Sequence, residues 1–213
     1  MKRYHGRIDS TLLSGTVSLS LVGVILQKVI RLLVLGTAFL ISSTVSEAVQ
    51  PATSSYTSIE PSECWVPPAP LIDTYRAQGL KAQECQAPKD FGLFIVSSNE
   101  RSWIDLMWHD AMWSTEEQIV YKNQFGYFPN IRGGGVVEWR LEDGKPIGLI
   151  FRVVAQDPKR MSSPLGQSNT SRLFVISFHD DAVCWRGVTE SNEVARELAD
   201  SEVLCVEKLP GQK

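Results

Sequence analysis

The sequence holds few residues of the kinds that chemistry usually needs. Histidine is scarce, with 3 in 213 residues, and only His109 and His179 fall beyond residue 48. Two histidines without ligand spacing fall short of a metal motif, so no metal and no cofactor is expected. None of the four cysteines forms a close C-x-x-C pair, which removes the usual zinc pattern. None precedes Cys64 either, so no thiol stands beside the N-terminal apolar run to carry a lipid.

An excess of basic charge is also missing. Lys and Arg number 21 against 24 Asp and Glu, so the chain lacks the footprint of a nucleic-acid or anionic-membrane binder. The pattern G-x-S-x-G does not occur, which leaves a typical α/β-hydrolase reading without support. Gly133-Gly134-Gly135 is not followed by a basic or hydroxyl residue at phosphate-loop spacing and leads into a strand, so a flexible turn is its expected role. Repeats and long heptads are absent.

A run long enough for an ordinary membrane span is lacking too. Leu32 to Ile41, reading LLVLGTAFLI behind Lys28 and Arg31, has the length of a signal-peptide core. Small residues at Ser46 and Ala48 then suit a signal peptidase, which predicts cleavage after Ala48 and a periplasmic or secreted mature chain. Residues 12–30 are also rather apolar, so 12–41 retained as an anchor is the alternative. Lys28 and Arg31 argue against a simple span, because a charge at a bilayer centre costs about 2.5–3.5 kcal/mol on insertion scales. Residues 1–28 make a long lead-in, for which a true start downstream of Met1 is one explanation.

Beyond residue 48 the chain carries 16 basic and 22 acidic residues, so the presumed mature part is acidic. It also holds Cys64, Cys85, Cys184 and Cys205, an even set that reads as two disulfides after an export signal. Four cysteines allow three connectivities. Cys64–Cys85 and Cys184–Cys205 are favoured, the second because one strand-helix-strand unit brings its two cysteines together.

Residues 49–70 are rich in proline and serine, which predicts an extended, irregular segment ahead of a single globular domain over 71–213. A short helix interrupted by Gly79 is expected over 71–82, and a buried strand over 91–97. In SWIDLMWHDAMW the residues Trp103, Ile104, Met107, Trp108, Ala111 and Met112 recur at the spacings of one helix face and Asp105, His109 and Asp110 fall away from it, predicting a helix over 103–112. Ser114 with Glu117 three residues on forms a capping-box pattern for a second helix near 115–123.

The rest alternates. Val137, Trp139 and Leu141 interleave with Glu138 and Arg140, and Asp143-Gly144 offers a two-residue hairpin turn to a partner strand over 147–154. Strands follow over 172–178, 182–188 and 202–208, with a helix over 190–200. The fold class is therefore α+β: a mainly antiparallel sheet in the C-terminal half, with a few short helices packed on it and disulfides stabilising it.

Six tryptophans all lie in the presumed mature part, and most suit a core. Trp113, Phe125, Tyr127 and Phe128 lie near Gly126, Pro129 and Asn130, where a loop would expose them to a protein or glycan partner. Asn169-Thr170-Ser171 matches a glycosylation sequon. Two functions are open. One is an exported, non-catalytic binding or interaction module. The other is an exported hydrolase or metal-dependent enzyme, which needs His109 and Asp110 to converge with His179, Asp180 and Asp181.

Overall fold

A computed structural model describes residues 51–131, 135–160, 169–179 and 181–212. The leader, its expected cleavage point and the alternative anchor lie outside these residues, as do Gly133, Gly134 and Asp180. The strands are β1 (Thr53–Ser58), β2 (Lys81–Cys85), β3 (Phe91–Ser98), β4 (Arg101–Trp108), β5 (Ala111–Ser114) and β6 (Tyr127–Asn130). They continue with β7 (Val136–Glu142), β8 (Lys145–Gln156), β9 (Asn169–His179), β10 (Ala182–Thr189), β11 (Glu207–Lys208) and β12 (Gly211–Gln212). Two α-helices interrupt them, α1 (Ala69–Ala77) and α2 (Asn192–Asp200).

Two antiparallel sheets result. The first runs β1-β7-β8-β9-β10-β11, with β6 pairing the far end of β8. The second runs β12-β5-β4-β3-β2. In the first, the alternation of the sequence acts as expected. Val137, Trp139, Leu149, Phe151, Phe174 and Ile176 belong to one core, while Ile150, Leu173 and Val175 pack under Ala195 and Ala199 of α2. Asp143 and Gly144 both take positive φ, 49° and 76°, the mirror-image turn whose twist suits a two-residue hairpin. Trp139 is fully buried, and its indole donates to Thr57 Oγ1 at 3.1 Å. Aromatic rings from both sheets meet in the shared core, with the Phe91 ring 4.7 Å from Phe178 and 5.4 Å from Trp139.

Three expectations are corrected. The helix over 103–112 is instead the hairpin β4–β5, with His109 and Asp110 as its turn at φ 50° and 58°. The physical cause is burial of β4 on both faces from Ser102 to Leu106, which removes the alternation that marks a strand. The segment 49–70 is not wholly irregular, because β1 pairs with β7 along its whole length. The strand over 202–208 shrinks to β11, and Cys205 lies before it in irregular chain.

Both disulfides form as expected, Cys64–Cys85 and Cys184–Cys205, with Cα atoms 4.4 and 5.4 Å apart. The first fastens the proline-rich stretch to β2, reinforced by a bridge between Trp65 and Glu84. The second holds the chain that follows α2 against β10. Residues 207–212 then tie the sheets together, since β11 edges the first, β12 edges the second, and Leu209 is buried between them in sequence.

Candidate functional site

The outer face of the second sheet carries the site that the geometry favours. Pro68 and Pro70 stand at the start of α1, where a missing amide costs nothing and a fixed φ suits the first turn. Gly79, at φ 74°, lets the chain leave the helix and reverse into β2. Ile72 and Tyr75, one turn apart, are the buried residues of α1. Across from them β4 presents Trp103 and Asp105, and β5 presents Met112 and Ser114, with Asp105 directly opposite Ser114 in the ladder.

The Tyr75 hydroxyl donates to Oδ2 of Asp105 at 2.8 Å. Oδ1 of the same carboxyl finds no hydrogen-bond partner among the described residues, although Asp105 is only 6% exposed. A buried acceptor left open is costly, of order 1–3 kcal/mol and more when charged, so such groups call for an explanation. Burial pushes the Asp105 carboxyl up to about 6, against the opposing pull of Ser114 and Tyr75, with the charge of Glu116 adding to the rise. Burial and the neighbouring Asp105 charge drive the Tyr75 phenol upward too, so it stays a donor.

The polypeptide beyond β5 shapes the rim. Thr115 Oγ1 accepts from the Ile104 amide at 3.0 Å and donates to the Ile104 carbonyl at 2.8 Å, which pins the exit from the strand. A π-helical turn, Glu117–Lys122, follows. The helix expected near 115–123 is thus present, but its capping box is not. Ser114 Oγ accepts from the Glu116 amide at 3.3 Å, while Glu117 pairs with Lys122 at 3.2 Å. Burial also raises the Glu116 carboxyl. The space enclosed between α1, β4, β5 and this turn is about 390 Å³, within the size range of small-molecule sites. Leu71, Leu80, Trp103 and Met112 give it apolar walls, Asp105, Glu116 and Glu117 supply carboxyls, and no basic residue lines it.

The residues singled out from sequence are dispersed. Trp113 lines a different cleft of about 320 Å³ with His109 and Asp181. Phe125 is partly buried against the shared core, its ring 6.1 Å from that of Phe174. Only Tyr127 and Phe128 stand open, 51% and 43% exposed, with the Arg101 guanidinium 5.8 Å from the Phe128 ring centroid. The four cysteines are all in disulfides.

The histidine clusters meet in part. His109 Nδ1 lies 2.7 Å from Asp181 Oδ1, linking the β4–β5 turn to the β9–β10 turn, and the imidazole stacks on Trp108 at 4.2 Å. Both side chains are largely exposed, 51% and 81%. His179 lines a separate cleft with Arg186 and Asp200, and Asp110 is an exposed turn residue. No group of three metal-ligating side chains occurs among the described residues.

Sequence reasoning missed Tyr75, Asp105 and Glu116. The available signal was Asp105 itself, a lone acid inside the apolar run SWIDLMW; on a strand reading it cannot avoid burial. Compared with known proteins, the chain gives no significant match to a family model, a curated protein or a solved structure.

Proposed function

We propose that the chain is an exported, non-catalytic binding module whose ligand site is the cleft between α1 and the second sheet. The observation that carries this reading is Asp105, a buried carboxyl with one oxygen unpaired among the described residues, in the lining of a partly apolar cleft. Two disulfides favour an oxidising compartment, and no helix among the described residues is long and apolar enough to cross a membrane. An α+β classification goes with the proposal, supported by α2 seated on the first sheet and α1 beside the second. Tyr127 and Phe128 offer a separate apolar contact for a protein or glycan partner.

Ligand-observed NMR with a small-fragment library tests the binding reading. Fragments that bind and shift the amides of Tyr75, Trp103, Asp105 and Ser114 support it, and fragments that bind only elsewhere contradict it.

A second reading, an exported hydrolase, rests on one contact, His109 to Asp181, because a carboxylate that orients an imidazole is the arrangement of a general base. The described residues lining that cleft include no hydroxyl or thiol nucleophile, which makes this the weaker reading. Assay of ester and amide substrates decides it. Turnover abolished by His109→Ala would favour the enzyme.

A further inference from the structure

Resting on the reading of this cleft as a binding site, we infer that its ligand is an organic cation on a short aliphatic stem, a primary ammonium or guanidinium that pairs with Asp105. Three features of the site converge on that class. The most buried acid of the lining is Asp105, whose Oδ2 is held by Tyr75 while Oδ1 has no hydrogen-bond partner among the described residues and so keeps its capacity to accept. Glu116 adds a second acidic group to the lining, which holds no lysine, arginine or histidine; Glu117 is there too but is paired with Lys122 at 3.2 Å. A buried carboxylate with one oxygen unpaired is stabilised strongly by a cation that brings its own donors.

Size and wall chemistry exclude the simpler occupants. A bare metal ion needs several ligands within about 2.6 Å, whereas a space of about 390 Å³ is far larger, and no group of three ligating side chains gathers among the described residues. A purely polar cation would set only polar surface against the sides that Leu71, Leu80, Trp103 and Met112 turn to the cleft. An alkyl stem satisfies them while its head reaches the acid, as lysine and arginine side chains do at protein surfaces. Trp103 and Met112 are moreover polarisable groups suited to lie beside a cation.

The experiment uses protein purified with both disulfides intact. Butylammonium, butylguanidinium and the uncharged 1-pentanol are titrated by amide NMR shifts and tryptophan fluorescence, with 1,4-diaminobutane and Nα-acetyl-lysine amide added to separate a free amine from a peptide side chain. The cations are expected to shift Tyr75, Trp103, Asp105 and Ser114, with 1-pentanol at least tenfold weaker. Asp105→Asn should weaken the cations tenfold or more and leave 1-pentanol unchanged. Should that variant fail to fold, Glu116→Gln, nearer the rim, should weaken them about threefold. Tighter binding of the lysine amide assigns the ligand to a peptide, and tighter binding of the diamine to a free polyamine. Equal binding of 1-pentanol and butylammonium overturns the cation and leaves the cleft as a neutral site. If no probe of either kind perturbs the cleft, the binding reading itself fails.

Discussion

The two sheets each bury acidic side chains on an outer face beside a helix, and they treat them in opposite ways. On the first sheet, Glu138 and Arg140 lie on β7 near α2. Arg196 of α2 donates to Glu138 at 2.7 Å, and Arg140 bonds Asp200 at 2.6 and 2.8 Å and the Ala52 carbonyl at 2.9 Å. Ser54 bridges both, donating to Glu138 and accepting from Arg140. On the second sheet, Asp105 has Tyr75 and an open oxygen. Burial works to raise Glu138, but the bonds from Arg196 and Ser54 hold it below its ordinary value, while Asp105 is raised to about 6. A network whose members satisfy one another is a structural joint. A buried acid with one oxygen unpaired in the lining of a cleft carries a cost that a ligand can remove.

Removing a partner from the satisfied face should have the largest effect. Arg140 is 6% exposed, and Arg140→Ala strands Asp200 and weakens the hold on Ala52 and Ser54. A loss of about 3–5 kcal/mol in urea unfolding is expected. A loss below about 1 kcal/mol would mean that the two faces do not differ as described.

The pH dependence of stability should differ in sign between the faces. Asp105 binds its proton more tightly folded than unfolded, so its contribution is most favourable below about pH 4 and is lost as pH rises toward 6. The raise from 3.8 to about 6 corresponds to about 3 kcal/mol. Glu138 is lowered, so its contribution is present above its unfolded value of 4.5 and is lost as pH falls through the folded one. Unfolding of Asp105→Asn and Glu138→Gln from pH 3 to 8 separates them: the first should remove the decline between pH 4 and 6, and the second should soften the acid loss.

The helices differ at their starts as well. Ser191 caps α2, its hydroxyl accepting from the Val194 amide at 3.3 Å, whereas α1 has prolines and no side-chain cap. Ser191→Ala should cost about 1 kcal/mol, read from the thermal midpoint.

The same contrast explains what could be read from the sequence. The first sheet is half exposed or charge-lined on its outer face, so Val137, Trp139 and Leu141 alternate visibly with Glu138 and Arg140, and Asp143-Gly144 announces its turn. β4 is covered on both sides, and its buried run admits a helical period as readily as a strand. Its turn is His109-Asp110, where two residues with side chains take the positive φ that glycine usually marks, so the hairpin carried no signal. Once that segment is read as helix, Asp105 falls on a polar face and its burial disappears from view. Tyr75 lies 30 residues upstream, and nothing local connects the two. The disulfide pairing was recoverable because each bridge is local, even though Cys205 proved to lie outside a strand.

Everything proposed for the cleft depends on Asp105 being a buried, incompletely satisfied carboxyl. Titration of its side-chain carboxyl carbon by NMR, from pH 3 to 8 on the unliganded protein, measures this directly. A midpoint near 6 is the expected result, moving down when a bound ammonium stabilises the carboxylate. A midpoint at or below the ordinary 3.8 would show the acid to be solvated or already paired, and would contradict the account.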